Sequence, residues 1–407
     1  MHLQTDKQPS SENVVVFLLA GFLFFHVCEF MVVMPLGPQL MRNLSLNSAQ
    51  FSYLVSCYNF TAAVSALLGL LWMDRLDRKR SLLLTNSLFA LGTLACSASQ
   101  TYHELLIARG FTGAFGGIIG AISMAIIADL VPMSRRGFAM GKMMSGFSLA
   151  AIAGVPLGLI LAQKFSWHTP FLAVCIGSSL LNVVALFFLP PVKEHLKSHQ
   201  NSFNLLDFWR ILARKEHVKA FLFMVFLMMG QFTVIPFISP YLVSNTGMSE
   251  SQLPLVYLLG GGLTVVGNPF IGKLADRYNK EFVFRLCSAL AIVPIIAITH
   301  LGVVSIAVSL VVTSLFFIFI SGRMSPAMAL ISDVPEDRQR GRFLSCVTAV
   351  QQGSAGLASW IAGSIIQVKA DGSLLHYPSV GYIALGFSLM AIFWVSQLSK
   401  AKPEVIP

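Results

Sequence analysis

Charged side chains are scarce in this chain of 407 residues, where Asp, Glu, Lys and Arg together make up 11%. A soluble domain carries about 25%. Apolar residues account for 55%, and the mean hydropathy is +0.73. This shortage of charge excludes an ordinary soluble enzyme. The apolar runs are too long for the alternating strands of a membrane barrel, so they predict an all-α integral membrane protein.

The motifs of common catalytic sites are also missing. The sequence contains no GxxxxGK[ST], GxSxG or HExxH, so the chemistries that depend on those motifs are not indicated. Its six cysteines form no CxxC pair and stand in or beside apolar runs, which favours packing over metal or disulfide roles. We therefore expect no enzyme activity, no cofactor and no metal site.

Apolar runs of about 20 residues, the length that a bilayer core requires, recur along the chain. They predict about twelve transmembrane helices in two six-helix halves, at 14–190 and 218–398. Polar tails are expected at 1–13 and 399–407, and a basic linker with an amphipathic helix at 191–217. The predicted spans are 14–36, 49–72, 81–100, 104–128, 138–162, 169–190, 218–243, 252–274, 282–300, 303–328, 342–366 and 378–398.

The 28 Lys and Arg residues are distributed asymmetrically. Two, Arg109 and Arg323, fall inside apolar runs, and three fall in one set of loops: Arg42, Lys164 and Lys369. The remaining 23 occupy the tails, the alternate loops and the ends of the spans beside those loops. By the positive-inside rule, both termini are expected in the cytoplasm. The net charge of +10 thus reflects membrane topology and does not indicate a nucleic-acid partner.

Two charged loops show that the halves repeat each other. Asp74-Arg75 precedes a basic cluster that includes Arg78, and Asp276-Arg277 stands 202 positions later in a similar setting. A second pair of loops, 129–137 and 333–341, is related by 204 positions. A nearly constant offset predicts two parallel six-helix pseudo-repeats around a central cavity.

The paired loops, the number of spans and the central linker resemble the Major Facilitator Superfamily over nearly the whole chain. The loop Gly272-x-Leu-Ala-Asp276-Arg277 is similar to that family's loop motif. The first copy departs from it at Leu70 and Asp77, where the family usually has glycine. The resemblance implies that both copies act as gating loops. We expect the second pair of loops to provide caps and ion pairs that stabilise an outward-open state, through Asp129, Arg136, Asp333 and Arg340.

The fourth and fifth spans carry further family features. Arg109 precedes Gly113 and Gly117 at four-residue spacing, which makes a flat helix face for close packing. By resemblance, this arginine is tied to proton coupling. The fifth span carries Gly154-Val-Pro156-Leu-Gly158, which is similar to the helix-packing Gly/Pro motif of drug/proton antiporters and sugar-efflux permeases. The resemblance implies export.

Glu29 is the only acidic residue deep within a predicted span, and His26 stands one helical turn before it. Burial disfavours the charged carboxylate, which would let Glu29 bind and release a proton near neutral pH. The alternative is a structural hydrogen bond or a pair with Arg109. Gln231 stands 202 positions after Glu29, so only the first half is expected to carry the proton.

Further polar and aromatic residues are candidates for the substrate cavity. Phe25 shares a predicted helical face with Glu29, and by resemblance Tyr58, Asn59 and Gln231 stand in cavity-lining spans. Arg323 allows two interpretations. It either extends to the cytoplasmic membrane surface, or lines the cavity and attracts an anionic substrate or a carboxylate partner.

The sequence and the resemblance together favour a proton-coupled exporter of small amphipathic compounds, drugs or metabolites, that works by alternating access. It is expected in the bacterial inner membrane, as a monomer. The alternatives are a dedicated exporter of one metabolite, such as a sugar, siderophore or amino-acid derivative, and a lipid flippase or non-transporting sensor of the same fold.

Overall fold

The computed structural model describes residues 9–72, 76–193, 210–336 and 340–399. These residues form twelve long helices, which confirms the predicted all-α class. The helices, numbered α1 to α12 in chain order, are Pro9–Val32, Ser48–Trp72, Arg78–Ala98, Tyr102–Leu130, Met133–Lys164, Thr169–Phe188, Lys215–Phe232, Leu253–Arg277, Lys280–Thr299, Ile306–Ser332, Arg340–Ile365 and Tyr377–Trp394.

All the long helices except α11 are long and apolar enough to cross a membrane. Helix α11 contains Gln351, Gln352 and several serines, so it is less apolar. It packs along α2, which shields part of its polar surface. A span covered by protein does not need the uniformly apolar surface that lipid demands.

Two bundles of six helices repeat the same packing. In the first, α2 and α3 pack on α4, and α1 and α3 pack on α6. In the second, α8 and α9 pack on α10, and α7 and α9 pack on α12, so each contact recurs six helices later. The predicted parallel repeat is thereby confirmed. Pro9 and Ser399 lie on one side of the membrane, here called the terminal side, because the chain crosses an even number of times.

Short segments on the opposite side also follow the repeat. The turn after α1 leads into the helix Gly37–Asn43, and the 3-10 turn Ile235–Phe237 leads from α7 into the helix Ile238–Asn245. A two-stranded hairpin, β1 (Gln367–Val368) and β2 (Leu374–Leu375), precedes α12. The remaining short elements are Glu250–Gln252 before α8 and Ser396–Ser399 after α12.

Helices α3 and α9 begin with equivalent caps. Asp77 accepts a hydrogen bond from the Lys79 amide at 2.9 Å, and Asn279 accepts one from the Glu281 amide at 2.8 Å. The two caps stand 202 positions apart. Asp77 therefore supplies at the start of α3 a side-chain acceptor that a glycine would lack.

The middle of α5 is irregular. Ala150–Gly154 forms a π-helical turn, and Val155–Lys164 then continues as α-helix. Pro156 has no amide hydrogen, so it cannot complete the regular ladder four residues back, and a wider turn accommodates the gap. Ala151 in this turn lies against Gly261 of α8, where a methyl group would come within 2.9 Å of the Ala151 carbonyl oxygen. The irregular turn thus lies where the two bundles meet.

Three predicted segments fall partly or wholly outside the described residues. They are the polar tails, the middle of the linker at 194–209 with most of its amphipathic stretch, and the loop at 73–75.

Candidate functional site

Glu29 of α1 and Arg109 of α4 form an ion pair inside the first bundle. Arg109 Nη1 lies 2.5 Å from Glu29 Oε1, and both side chains are almost completely buried, at 1% and 0% exposure. Arg109 Nε also donates to the Leu54 carbonyl of α2 at 3.4 Å. The structure therefore brings together the two ionisable residues that the sequence placed in different spans.

Small residues let α4 approach α2 closely enough to make this arrangement. A methyl group at Gly113 would overlap the Tyr58 carbonyl and the Thr61 hydroxyl. One at Gly117 would lie 2.6 Å from the Ala62 carbonyl oxygen. The glycine face of α4 therefore packs directly on the backbone of α2.

Tyr58 and His26 extend the cluster. The Arg109 guanidinium lies over the Tyr58 ring, 4.4 Å from its centroid. The Tyr58 hydroxyl lies 3.1 Å from His26 Nδ1. The side chain of Tyr58, a candidate for the substrate cavity, is fully buried beside the ion pair. One chain of contacts thus runs from His26 through Tyr58 and Arg109 to Glu29.

Each partner of the ion pair keeps an unused polar atom. Within the described structure, neither Glu29 Oε2 nor Arg109 Nη2 has a hydrogen-bond partner. A carboxylate can accept several hydrogen bonds, so half of this one is unoccupied. A proton could therefore bind Oε2 without displacing Arg109 from Oε1.

Asn59 and Gln231 are buried amides in different bundles. Asn59 lies against Gly356 of α11, so it faces the boundary between the bundles, and its amide donates to the Val55 carbonyl at 2.9 Å. Gln231 of α7 donates to Met228 Sδ at 3.6 Å. Among the described residues, neither amide oxygen has a hydrogen-bond partner. Nearby, the rings of Phe30 and Phe232 meet across the boundary at 6.3 Å.

Phe25 and Arg323, two candidates for the substrate cavity, each pack inside their own bundle. Phe25 packs on Gly177 of α6, within the first bundle. Arg323 lies inside the second bundle with 0% exposure, so it does not reach the membrane surface. Its guanidinium donates to Ser388 Oγ at 3.2 Å and to the Leu227 carbonyl at 3.3 Å. In the described part of the chain, no carboxylate forms a salt bridge with it.

The terminal-side loops form matching ion pairs in the two halves. Arg78 Nε lies 2.8 Å from Asp129 Oδ2, and Lys280 Nζ lies 3.1 Å from Asp333 Oδ2. The repeat relates Arg78 to Lys280, a partner that sequence reasoning missed although the offset of 202 would have identified it. Each pair joins two loops of one bundle.

The arginines that follow also correspond. Arg136 donates to the Ala128 carbonyl, and Arg340 donates to the Ser332 carbonyl at 3.0 Å. Arg340 also lies 3.9 Å from Asp333 Oδ1. Of the remaining predicted gating residues, Asp276 and Arg277 are exposed at the end of α8, and Asp74 and Arg75 lie outside the described residues.

The Gly/Pro stretch of α5 packs on α1. A methyl group at Gly154 would overlap Cys28 Sγ, and one at Gly158 would lie 2.9 Å from a Val32 methyl. Pro156 is buried in the first turn after the π segment. These residues fix the end of α1 that carries Glu29.

The bundles meet closely on the opposite side. Arg42, after α1, pairs with Glu250, before α8. Gly37 lies against Pro240, and the rings of Phe51 and Phe237 meet edge to face at 5.5 Å. Sequence reasoning missed these contacts. The sequence held one indication of them. Basic residues are scarce in the loops on this side, so Arg42, one of three, stands out as a candidate for an ion pair.

Two parallel six-helix repeats that meet at one boundary are the architecture of a secondary transporter. The chain matches the family model described as Major Facilitator Superfamily over residues 18–327 and 221–406. It belongs to that family and is a multi-pass membrane transporter, not an enzyme.

Two bacterial relatives are similar over almost their entire lengths. A protein named putative transporter AraJ, from Escherichia coli, is 22% identical, and the match covers 95% of this chain and 94% of the relative. A probable sugar efflux transporter from Mannheimia succiniciproducens is 23% identical, with 94% and 92% covered.

Solved structures show the same fold. A bacterial homologue of the human lysosomal transporter Spinster, inward-facing and occupied, superimposes with a TM-score of 0.76 at 14% identity over 97% of this chain and 98% of that one. A D-xylose–proton symporter gives 0.75 at 17% identity with the same coverage. The inward-open xylose transporter XylE from E. coli gives 0.69 at 17% identity, covering 93% of this chain and 94% of that one.

Proposed function

We propose that the chain is a proton-coupled exporter of small amphipathic compounds that works by alternating access. The observation that carries this proposal is the buried ion pair of Glu29 and Arg109. A buried ion pair seldom adds net stability, because the desolvation of both charges offsets their attraction. Ionisable residues inside a membrane are therefore functional candidates, and a carboxyl group that a proton can neutralise suits coupling to a pH gradient.

The proton is carried by Glu29 alone. Its Oε2 atom has no hydrogen-bond partner in the described structure, so a proton can bind there while Oε1 stays beside Arg109. Protonation leaves Arg109 without its balancing charge, and this change in local charge biases one arrangement of the helices over another. In the second bundle Gln231 takes the equivalent position, which cannot titrate.

Alternating access is supported by the distribution of contacts between the bundles. On the opposite side Arg42 pairs with Glu250 across the boundary. On the terminal side, Arg78 pairs with Asp129 in the first bundle and Lys280 with Asp333 in the second. This pattern corresponds to a state closed on the opposite side.

The membrane orientation follows from charge. The tails, the terminal-side loops and the helix ends beside them hold 23 of the 28 basic residues, so we place the terminal side in the cytoplasm, with the protein in a bacterial inner membrane. The side that Arg42 and Glu250 close is then the periplasmic side. The transporter acts as a monomer, because one chain supplies both bundles.

A second candidate is a dedicated exporter of one sugar-like metabolite. One relative is named a probable sugar efflux transporter. Asn59 Oδ1 and Gln231 Oε1 are buried acceptors without partners among the described residues, and substrate hydroxyl groups could donate to them. Against this, Phe30 and Phe232 make the nearby boundary aromatic, which favours amphipathic compounds.

Transport in proteoliposomes with an imposed pH gradient tests both candidates. We would compare wild type, Glu29→Gln and Glu104→Gln with ethidium, chloramphenicol and isopropyl thiogalactoside as probes. Glu104 is an exposed carboxylate that accepts from the Gln100 amide at 2.7 Å, and glutamine also suits its capping position. This variant therefore controls for the loss of a carboxylate.

Gradient-driven movement of several unrelated probes, lost only in Glu29→Gln, is the expected result. Movement of the sugar probe alone would favour the dedicated exporter. Proton coupling through Glu29 would be contradicted if the wild type transports the probes at the same rate with and without the gradient. It would also be contradicted if Glu29→Gln keeps gradient-driven transport.

A further inference from the structure

Tyr58 connects the charged pair of the site to its histidine. The side chain is fully buried on α2, between α1 and α4. The Arg109 guanidinium lies over its ring at 4.4 Å, and its hydroxyl lies 3.1 Å from His26 Nδ1. The proton cycle proposed above uses Glu29 and Arg109 but gives this tyrosine no part.

The ring matters most when Glu29 is neutral. Protonation removes the charge that balances Arg109, and an unpaired buried cation is strongly unfavourable. The guanidinium then keeps two backbone acceptors, the carbonyls of Leu54 at 3.4 Å and Glu29 at 3.5 Å, and both are long for hydrogen bonds. In that state the carboxylate no longer offsets the positive charge of Arg109, so the attraction between the guanidinium and the aromatic face of Tyr58 is stronger than in the ion pair.

We propose that Tyr58 is the positioning residue that holds Arg109 in place while Glu29 carries a proton, and that it thereby sets the pH at which transport is half-maximal. This inference rests on the proposed proton cycle. The other titratable side chains around the pair are His26 on α1, Cys57 on α2 and Cys96 on α3. Of these side chains around the ion pair, Tyr58 is the one whose ring lies beneath the Arg109 guanidinium.

Two substitutions separate the ring from the hydroxyl. Tyr58→Leu removes both, whereas Tyr58→Phe keeps the ring under Arg109. In proteoliposomes we would measure transport of whichever probe the wild type moves, as a function of pH. Tyr58→Leu is expected to move the midpoint about one pH unit lower, because it destabilises the state with neutral Glu29 more than the state with the ion pair. Tyr58→Phe is expected to move it much less, and an unchanged midpoint in Tyr58→Leu would overturn the proposal.

Gly116 offers a second test that leaves the tyrosine in place. A methyl group there would overlap the Tyr58 hydroxyl and approach His26 Nδ1 at 3.0 Å. Gly116→Ala is therefore expected to displace the ring and lower the midpoint. Adding Tyr58→Phe should restore the midpoint, because the methyl group occupies the space that the hydroxyl leaves. If the phenylalanine does not restore it, Tyr58 is not the positioning residue.

Gly120→Ala is the matched control on the same helix, since no neighbouring atom lies within 4 Å of the added methyl group. Infrared difference spectra between pH steps then separate this inference from the proposed function. They should show a protonated carboxyl band that Glu29→Gln lacks. If no such band titrates, the proton cycle itself is wrong. If the band titrates while Tyr58→Leu and Gly116→Ala keep the wild-type midpoint, only the role of Tyr58 is wrong.

Discussion

Arg42 and Glu250 join the two bundles on the opposite side through two parallel contacts. Arg42 Nη2 lies 3.3 Å from Glu250 Oε2, and Nη1 contacts Oε1. Hydrogen bonding to Glu250 raises the pKa of the Arg42 guanidinium. Gln163 of α5 donates to the Glu250 carbonyl at 2.7 Å, so segments of both bundles converge on this residue.

Loss of this pair should weaken closure of the opposite side. An ion pair of this partly exposed kind is worth about 0.2–1 kcal/mol, so Arg42→Ala is expected to raise the ratio of open to closed molecules by up to about fivefold. Distances between spin labels at the exposed positions His103 and Val303 would report the two populations.

Exchanging the charges of Arg42 and Glu250 provides a control for that prediction. Arg42→Glu should open the opposite side further, and Arg42→Glu with Glu250→Arg should restore the wild-type distances. High salt should reduce the effect of Arg42→Ala, because ions screen exposed charges. If the double variant behaves like Arg42→Glu alone, the pair does not control closure.

The pair of Glu29 and Arg109 should respond differently to loss of one partner and of both. Arg109→Gln leaves an uncompensated buried carboxylate and is expected to lower the free energy of unfolding by about 3–5 kcal/mol. Arg109→Gln with Glu29→Gln removes both charges and should lie much closer to wild type. Thermal unfolding of the purified protein in detergent compares them.

The loss of stability caused by Arg109→Gln should depend on pH. Acidification neutralises Glu29, so the destabilisation of Arg109→Gln should diminish as the pH falls. The double variant has no carboxyl group to neutralise and should show no such recovery. Equal destabilisation of the single and double variants at every pH would mean that the charge balance of the pair has no effect on stability.

Much of the fold was predictable because the bilayer restricts what a span can contain. The apolar run at 49–72 predicted a helix now seen at Ser48–Trp72. The end of α1 was predicted four residues too late, because Pro35, three residues after Val32, has no amide hydrogen to continue the helical ladder. A hydropathy profile gives the length of an apolar segment but does not show where the backbone turns within it.

The site was predictable only in part. Glu29 and Arg109 were identifiable because ionisable residues inside a membrane are rare. The burial of Tyr58 and Arg323 was not, because the direction of a side chain depends on how each helix rotates against its neighbours. The pairing of Arg42 with Glu250 joins residues 208 positions apart and depends on the conformation of the whole molecule.

The glycine face of α4 should tolerate a methyl group at one position and not at another. Gly113→Ala would overlap the backbone of α2 and is expected to destabilise the protein by about 1–3 kcal/mol. Gly120→Ala has no atom within 4 Å and should be neutral or stabilising by up to about 1 kcal/mol. Thermal unfolding in detergent checks the contrast, and similar midpoints for both variants would refute the packing role of Gly113.

Asp77 should contribute more than its repeat equivalent because it also binds the start of the linker. Its Oδ1 accepts from the Val192 amide at 3.4 Å, and the Arg78 amide donates to the Val192 carbonyl at 3.3 Å. Lys193 Nζ lies 4.0 Å from Oδ2. Asn279 caps α9 in the same way as Asp77 caps α3, and its side-chain acceptor serves the Glu281 amide.

Asp77→Ala and Asn279→Ala each remove one helix cap, so each should lower stability by about 0.5–2 kcal/mol. Only Asp77→Ala should also accelerate hydrogen exchange at the Arg78 and Val192 amides. Asp77→Asn keeps an acceptor for both amides and should leave that exchange slow, because the charge pair with Lys193 is half exposed and weak. Equal exchange in Asp77→Ala and Asn279→Ala would show that the aspartate is a cap alone and does not hold the linker against the first bundle.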